Sequence, residues 1–303
     1  MTNPPLYILA FDHRVSLNKM FGPHGSTYAG ANGSTTVDYS LLKEIIYDGL
    51  LTALPALSLS TSDVGILVDE EFGAGVARRA RQDGVLLAMP AEKSMAKIFE
   101  LEYGDEFASH IEEFDPDQVK ILAFKDTSQP EEDARLSRTR LAELSDWLAP
   151  RRQKFMVEIL VTPTAEHLES VGGSTERFEE EIRPRLMCEA IAELQAGGVE
   201  ADVWKVEGLH SEAAYREVVT QATDGGRTHA QTIILGRGAP EETVRGWLRM
   251  GAAVPGLDGF AIGRSTWSDA VTAFMDGHLD RTGAAQQIGR NFAEYVTVFR
   301  EQR

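Results

Sequence analysis

Lys205 stands between Trp204 and Val206 in the apolar run ADVWKV at 201–206. An ammonium among such neighbours is costly to bury unless it is paired or neutralised. Desolvation and nearby cations free an amine's lone pair, and a neutral amine attacks carbonyl carbon. Two other runs carry a charge in the same way: Lys120 in VKILAF at 119–124 and Glu158 in FMVEIL at 155–160. A further run, LYILAF at 6–11, is followed by Asp12, His13 and Arg14. Carboxylates beside amines suit proton transfer to and from a reacting carbonyl compound. The plain alternative is that Lys205 pairs with Glu158 or Glu207 and does no chemistry. The concentration of Asp12, Lys120, Glu158 and Lys205 in such runs favours a catalytic set.

Two arginine–glycine tripeptides add a second pattern, GRG at 236–238 and GRS at 263–265. Open backbone N–H groups and a guanidinium are what a phosphate needs. Either tripeptide alone is a weak signal, but both close successive apolar runs. The expected substrate-binding residues are therefore Gly236, Arg237, Gly238, Gly263 and Arg264, joined by Arg14, Asp69 and Lys93 at the ends of other runs. The seven histidines show neither HxH nor HExxH spacing, so no metal and no other cofactor is expected. A magnesium set drawn from Asp12, Asp69 and Glu158 stays open, because carboxylates impose no strict spacing.

These residues must be held by something, and the apolar runs show what. Eight of them recur, at 6–11, 64–68, 85–89, 119–124, 155–160, 201–206, 232–236 and 259–263. Continuous runs rich in Val, Ile and Leu read as strands buried on both faces. Helical patterns lie between and after them at 38–54, 71–83, 105–113, 131–149, 178–196, 211–224, 240–253 and 280–302. Strand–helix alternation repeated eight times predicts an α/β chain, a single (β/α)8 TIM barrel over residues 1–303. A doubly wound open sheet is the alternative, but AFDHR after the first run is not a glycine fingerprint. In a barrel the chemistry gathers at the C-terminal strand ends, where the charged residues above fall. The glycine-bearing segment 22–36 reads as a loop, either mobile or a lid.

Composition narrows the partners. The 303 residues include 30 Lys plus Arg and 47 Asp plus Glu, a net charge of −17, which argues against nucleic acid. A small phosphorylated substrate remains compatible, since it needs only a few local positive groups. No stretch of about 18 apolar residues marks a membrane span. The single cysteine, Cys188, cannot form an internal disulfide and reads as a packing residue. With no basic n-region at the start of the sequence, a cytoplasmic setting is expected. Self-association into a homo-oligomer is left open.

The motifs AFDHR, LVDEEFG, EKS, VKIL, VEIL, DVWKVEG and GFAIGRSTW together resemble class I aldolases of the tagatose-1,6-bisphosphate and sulfofructose-phosphate type. They occur in the same order along nearly the whole chain. LVDEEFGAGVAR, HIEEFDPDQVKIL, ELQAGGVEADVWKVEGL, ILGRGA and VPGLDGFAIGRS look more specifically like the aldolase-like domain fused to 5-dehydro-2-deoxygluconokinase in bacterial inositol catabolism, here read as free-standing. The resemblance implies that Lys205 forms a Schiff base, that Glu158 relays protons, and that Lys120 and Asp12 assist. It implies phosphate binding by Gly263 and Arg264, with Arg14 near Asp12.

Three departures bear on the sugar. The seventh run ends in GRG, adding Arg237; the first ends in DHR without a glutamine; the fifth lacks a proline. An added arginine suits a second anion, as in 2-deoxy-5-keto-gluconate 6-phosphate, whose cleavage yields dihydroxyacetone phosphate and malonate semialdehyde. The expected function is thus a lyase, a class I aldolase with transaldolase activity as a close variant. The alternatives are a non-catalytic sugar-phosphate-binding or regulatory barrel and a metal-dependent lyase or isomerase.

Overall fold

The computed structural model describes residues 4–303. In chain order the elements are β1 (Leu6–Ala10), α1 (Val15–Phe21), β2 (Thr27–Gly30), β3 (Gly33–Thr36), α2 (Tyr39–Leu57), β4 (Gly65–Leu67), α3 (Glu70–Asp83) and β5 (Leu86–Pro90). Then come α4 (Phe107–Phe114), β6 (Gln118–Lys125), α5 (Glu131–Leu148), β7 (Lys154–Val161), α6 (Ala165–Ser170), α7 (Thr175–Arg177), a π-helical turn (Phe178–Ile182) and α8 (Arg183–Ala196). The rest are β8 (Val203–Glu207), α9 (Glu212–Ala222), β9 (Gln231–Leu235), α10 (Glu241–Ala252), β10 (Leu257–Ile262), α11 (Arg264–Met275) and α12 (Arg281–Arg300). Eight strands close into a parallel barrel in the order β1-β10-β9-β8-β7-β6-β5-β4. Each expected apolar run is one of these strands, because a barrel strand is covered on both faces and needs no polar side. No helix among the described residues is long and apolar enough to cross a membrane.

The chain divides into two compact units, each described by itself. One holds residues 91–235 and 246–260 with Pro4; the other holds residues 5–90, 236–245 and 261–303.

In the first unit, β6, β7, β8 and β9 pair in parallel, with Leu122 opposite Glu158, Glu158 opposite Lys205, and Lys205 opposite Ile233. Helix α8 contributes a buried face of Leu186, Met187, Ala190, Ile191 and Leu194. Arg183 stands at the head of that face and is itself buried. Its guanidinium binds Glu207, both carboxylate oxygens of Glu179 at 2.7 Å each, and the Val161 carbonyl at 3.1 Å. Removing one partner from a buried ionic group leaves charge without its counter-ion. We expect Arg183→Met to destabilise the protein by about 3–5 kcal/mol in urea unfolding; a loss under about 1 kcal/mol would show that Arg183 is not the counter-ion holding these carboxylates.

In the second unit, β1 pairs with β4 and β4 with β5, all parallel. Helix α2 begins at an Asp38 cap, whose carboxylate accepts the Leu41 N–H at 3.1 Å. It buries Ile45, Ile46 and Leu50, and packs closely on α12, where Ile288 meets Gly49. The segment 22–36 departs from expectation. It is no irregular loop: β2 and β3 form an antiparallel hairpin with Thr27 opposite Thr36 and Gly30 opposite Gly33. The hairpin is tied to the end of α11. Tyr28 Oη donates to Asp276 Oδ1 at 2.9 Å, and the Asn32 N–H donates to the Asp276 carbonyl at 3.0 Å.

Candidate functional site

Three of the four expected catalytic residues meet in the first unit. Glu158 and Lys205 lie directly across the β7/β8 ladder, so their side chains share one face of the sheet. Lys205 Nζ is 2.9 Å from Glu158 Oε1, and Lys120 Nζ is 2.9 Å from Glu158 Oε2. Lys120 stands two residues before Leu122, the β6 partner of Glu158, which puts it on the same face by the period of two. Both lysines are buried, Lys120 to 3% exposure and Lys205 to 4%. Glu158 therefore bridges two ammonium groups with one oxygen each.

A fourth member is Glu92, whose Oε1 accepts from Lys120 Nζ at 2.7 Å. The cluster thus alternates Lys205, Glu158, Lys120, Glu92, and its formal charges cancel. Glu92 sits just past β5 in a segment closed on itself: the Lys93 N–H donates to Glu100, the Glu102 N–H to Ala91, and the Ala91 N–H to Lys120. Lys93, expected at this strand end as a substrate-binding residue, lies outside the cluster, while its neighbour Glu92 is part of it. The Lys93 side chain is 57% exposed and faces Glu100 at 3.2 Å. Which of two adjacent loop residues turns inward depends on that backbone closure, and no periodicity encodes it.

Glu207, the other partner that residue order offers Lys205, goes instead to Arg183 and the Val161 N–H at 2.8 Å. A separate cavity of about 280 Å3 lies between α5, α8 and the end of β6, and its lining includes none of the four clustered residues. Four of its charged residues pair with one another, Lys125 with Glu193 and Arg138 with Glu131, each at 2.5 Å.

The second unit holds the remaining expected residues. The GRG turn after β9 places Arg237 at φ 50° and Gly238 at φ 71°. Arg264, the first residue of α11, donates through Nη2 to the Arg237 carbonyl at 3.0 Å. Its guanidinium lies against Gly238: a Cβ there would come within 2.9 Å of Arg264 Cζ. The positive φ of Gly238 favours glycine, and its bare backbone lets the guanidinium lie close. Gly263 is as tightly placed, since a Cβ would lie 2.6 Å from the Ala10 carbonyl and 2.8 Å from His13 Cε1. Gly236 packs on Ile262, and Ser265 Oγ donates to the Ala239 carbonyl at 2.7 Å. Arg264 Nε is buried with no hydrogen-bond partner. A guanidinium at the start of a twelve-residue helix, with an unused N–H, is suited to an anion.

Asp12 and His13 lie beside one another, Oδ1 to Nδ1 at 3.7 Å, and Arg14 is 4.0 Å from Glu71. Asp69, expected among the substrate-binding residues, is engaged by Lys43 and by α3. It is 1% exposed, its Oδ1 is taken by Lys43, and its Oδ2 caps α3 by accepting the Phe72 N–H at 2.9 Å. Each oxygen thus has a protein partner, and the side chain is nearly closed to solvent. Neither Lys43 nor Arg183 stands out among the strand-end residues, yet the sequence carries a signal for both. Lys43 shares the apolar stripe of Ile46, Tyr47 and Leu50, as Arg183 shares that of Leu186, Met187 and Ala190.

Burial of Cys188 pushes its thiol up to about 11, with Glu217 and Glu189 adding to the effect. A raised thiol holds its proton at neutral pH, so iodoacetamide should label Cys188 slowly at pH 7.5 and faster as the pH rises toward 11. Labelling at the rate of a free thiol at pH 7.5 would contradict this burial. Among the described residues no three His, Cys, Asp or Glu side chains group as a metal site.

Solved structures share this fold. A structural-genomics crystal structure from Corynebacterium glutamicum (Brevibacterium flavum) aligns with a TM-score of 0.59 at 16% identity, covering 95% of this chain and 85% of that chain. A Schiff-base-forming fructose-1,6-bisphosphate aldolase, studied through its reaction intermediates, gives 0.54 at 13% identity over 90% of this chain and 92% of its own. The fructose-bisphosphate aldolase of Slackia heliotrinireducens gives 0.55 at 13% identity over 99% and 86%. At these identities the likeness is one of fold. No curated protein matches the sequence. One family model, described as "Uncharacterized protein conserved in bacteria (DUF2090)", matches residues 1–303.

Proposed function

We propose that this chain, which belongs to the DUF2090 family of uncharacterized proteins conserved in bacteria, is a class I aldolase acting through a Schiff base on Lys205. The observation that carries this reading is the bridge made by Glu158, one oxygen 2.9 Å from Lys205 and the other 2.9 Å from Lys120. Imine chemistry needs a buried amine with a proton acceptor in hydrogen-bond reach. The fold shared with Schiff-base-forming aldolases supports the reading at the level of architecture.

The steps follow from the residues. Glu158 takes a proton from the Lys205 ammonium, and the freed lone pair attacks the ketone carbon of the donor. Loss of water from the resulting carbinolamine gives an iminium. A base then removes the proton of the β-hydroxyl, the carbon–carbon bond breaks, and its electron pair flows into the iminium as an enamine. Glu158 is suited to move these protons, and Asp12 is retained as an assisting group. Lys120, held between Glu158 and Glu92, supplies positive charge for oxygen that becomes negative as the bond breaks. Protonation of the enamine and hydrolysis of the iminium release the three-carbon product and restore the amine.

Phosphate binding is assigned to Gly236, Arg237, Gly238, Gly263 and Arg264, with Arg14 contributing positive charge. The substrate we propose is a phosphorylated keto sugar acid such as 2-deoxy-5-keto-gluconate 6-phosphate. Arg237 motivates the second anion. The products are then dihydroxyacetone phosphate and malonate semialdehyde. Acceleration of turnover by an added acceptor aldehyde would indicate transaldolase activity instead.

The deciding experiment is borohydride reduction in the presence of dihydroxyacetone phosphate, followed by peptide mapping. An adduct on Lys205 supports the proposal, and an adduct on Lys120 keeps the mechanism but moves the nucleophile. Thermal stabilisation by the ligand with no adduct would favour a non-catalytic sugar-phosphate-binding barrel. Arg264→Ala should weaken dihydroxyacetone phosphate binding by about 10- to 100-fold, the worth of charge-assisted hydrogen bonds. Unchanged affinity in calorimetry would remove the phosphate assignment.

A further inference from the structure

Lys43 is fully buried, on a helix, and takes no part in the chemistry proposed above. An ammonium has three protons to place. Lys43 Nζ donates to the Phe11 carbonyl at 2.6 Å, to the His13 carbonyl at 3.2 Å, and to Asp69 Oδ1. All three are used, which is what a buried lysine requires. The choice of acceptors is informative. Strand β1 ends at Ala10, and its last ladder bond runs from the Phe11 N–H to the Leu67 carbonyl at 2.8 Å. The Phe11 and His13 carbonyls lie beyond that bond and stand on either side of Asp12. Tying both to one ammonium fixes the backbone of Asp12 between them.

The other groups around this turn are fixed as well. The His13 ring stands edge-on to Trp267, with centroids 5.4 Å apart, and closes on Gly263. Trp267 Nε1 donates to the Ala10 carbonyl at 3.0 Å. Asp69 holds Lys43 in place while capping α3. Lys43 thus secures the Asp12–His13–Arg14 turn, while its partner Asp69 secures the start of α3.

We infer that Lys43 is a positioning residue: its ammonium, through the Phe11 and His13 carbonyls, holds the turn that presents Asp12 and Arg14. This rests on the proposed reading only in taking those two side chains to serve a substrate. It predicts that loss of the ammonium loosens residues 12–15 while leaving the β1 strand intact.

The test compares Lys43→Met/Asp69→Asn with Asp69→Asn alone. The double variant leaves no lone buried charge, and asparagine still caps the helix. The single variant keeps Lys43 on both carbonyls. Two readouts do not need activity. Amide hydrogen exchange at residues 12–15, referenced to Leu9 and Ala10, should accelerate roughly tenfold or more in the double variant and less than about twofold in the single one. The His13 ring-proton NMR signals, displaced by the nearby Trp267 ring, should move toward free-histidine positions only in the double variant. Exchange and His13 signals matching the wild type in the double variant would overturn the inference, because an ion pair that merely stabilises α2 and α3 leaves this turn alone.

Activity adds a further arm. With an active wild type, the double variant should still form the borohydride adduct on Lys205 but lose about 10- to 100-fold in kcat/KM, the scale of a misplaced group. Full kcat/KM in a variant with a loosened turn would likewise overturn the positioning role. A wild type that forms no adduct would instead remove the aldolase reading, with exchange and the His13 signals still deciding the role of Lys43.

Discussion

Lys205→Met should abolish the borohydride adduct with dihydroxyacetone phosphate and lower turnover by roughly 10^4-fold or more, as removal of a covalent nucleophile does. Lys205→Arg should do the same for a different reason. A guanidinium keeps the positive charge beside Glu158 but stays protonated and does not form an imine. The two substitutions therefore separate charge from nucleophilicity. If Lys205 serves only as a counter-ion for Glu158, arginine keeps whatever activity the protein has and methionine does not. If Lys205 is the amine that captures the ketone, both are inactive while the arginine variant remains well folded. Circular dichroism and the unfolding midpoint keep a folding defect from being read as a chemical one. An adduct that persists in either variant, mapped to Lys120, would transfer the nucleophile to the other lysine on Glu158.

How far the sequence anticipates this arrangement depends on where each residue's partners lie. The barrel strands are legible because a parallel strand is an uninterrupted apolar run, so VKILAF and FMVEIL locate β6 and β7 to within a residue or two. A charge inside such a run is conspicuous, which is why Lys120, Glu158 and Lys205 stand out. The hairpin of β2 and β3 is not legible. Its residues are largely exposed, the GSTT of β3 carries no apolar position, and its anchor, Asp276, is distant in sequence. Asp69 illustrates a third case. Its position at a strand end suggests a ligand, but its use is settled by Lys43 on a helix 26 residues earlier. A buried ion pair declares itself only when both members are known, although a lone lysine on an apolar helical stripe is a usable warning.

Glu158→Gln should have the second large effect, on stability as well as turnover. The four-membered cluster carries two positive and two negative charges, all with little or no exposure. Glutamine keeps the shape but leaves Lys120 paired with Glu92 and Lys205 without its carboxylate, one buried positive charge in excess. Destabilisation of about 3–5 kcal/mol is expected from such an imbalance. Lys205→Met leaves the opposite imbalance. The double variant Glu158→Gln/Lys205→Met restores neutrality through the Lys120–Glu92 pair, so its loss should fall short of the summed single losses by about 1–3 kcal/mol. Additive losses would contradict the 2.9 Å contact between Glu158 and Lys205. Turnover separates the structural duty of this carboxylate from its chemical one. Under conditions where Glu158→Gln stays folded, its activity should fall by about 10^2- to 10^4-fold, the range for a lost general base. Glu92→Gln makes the informative contrast. It also unbalances the cluster by one positive charge, but it leaves the acceptor beside Lys205 in place. Similar destabilisation with a loss of less than about tenfold in turnover would then assign proton transfer to Glu158 and charge balance to Glu92. Equal losses of turnover in the two variants would mean that the cluster acts through its net charge alone.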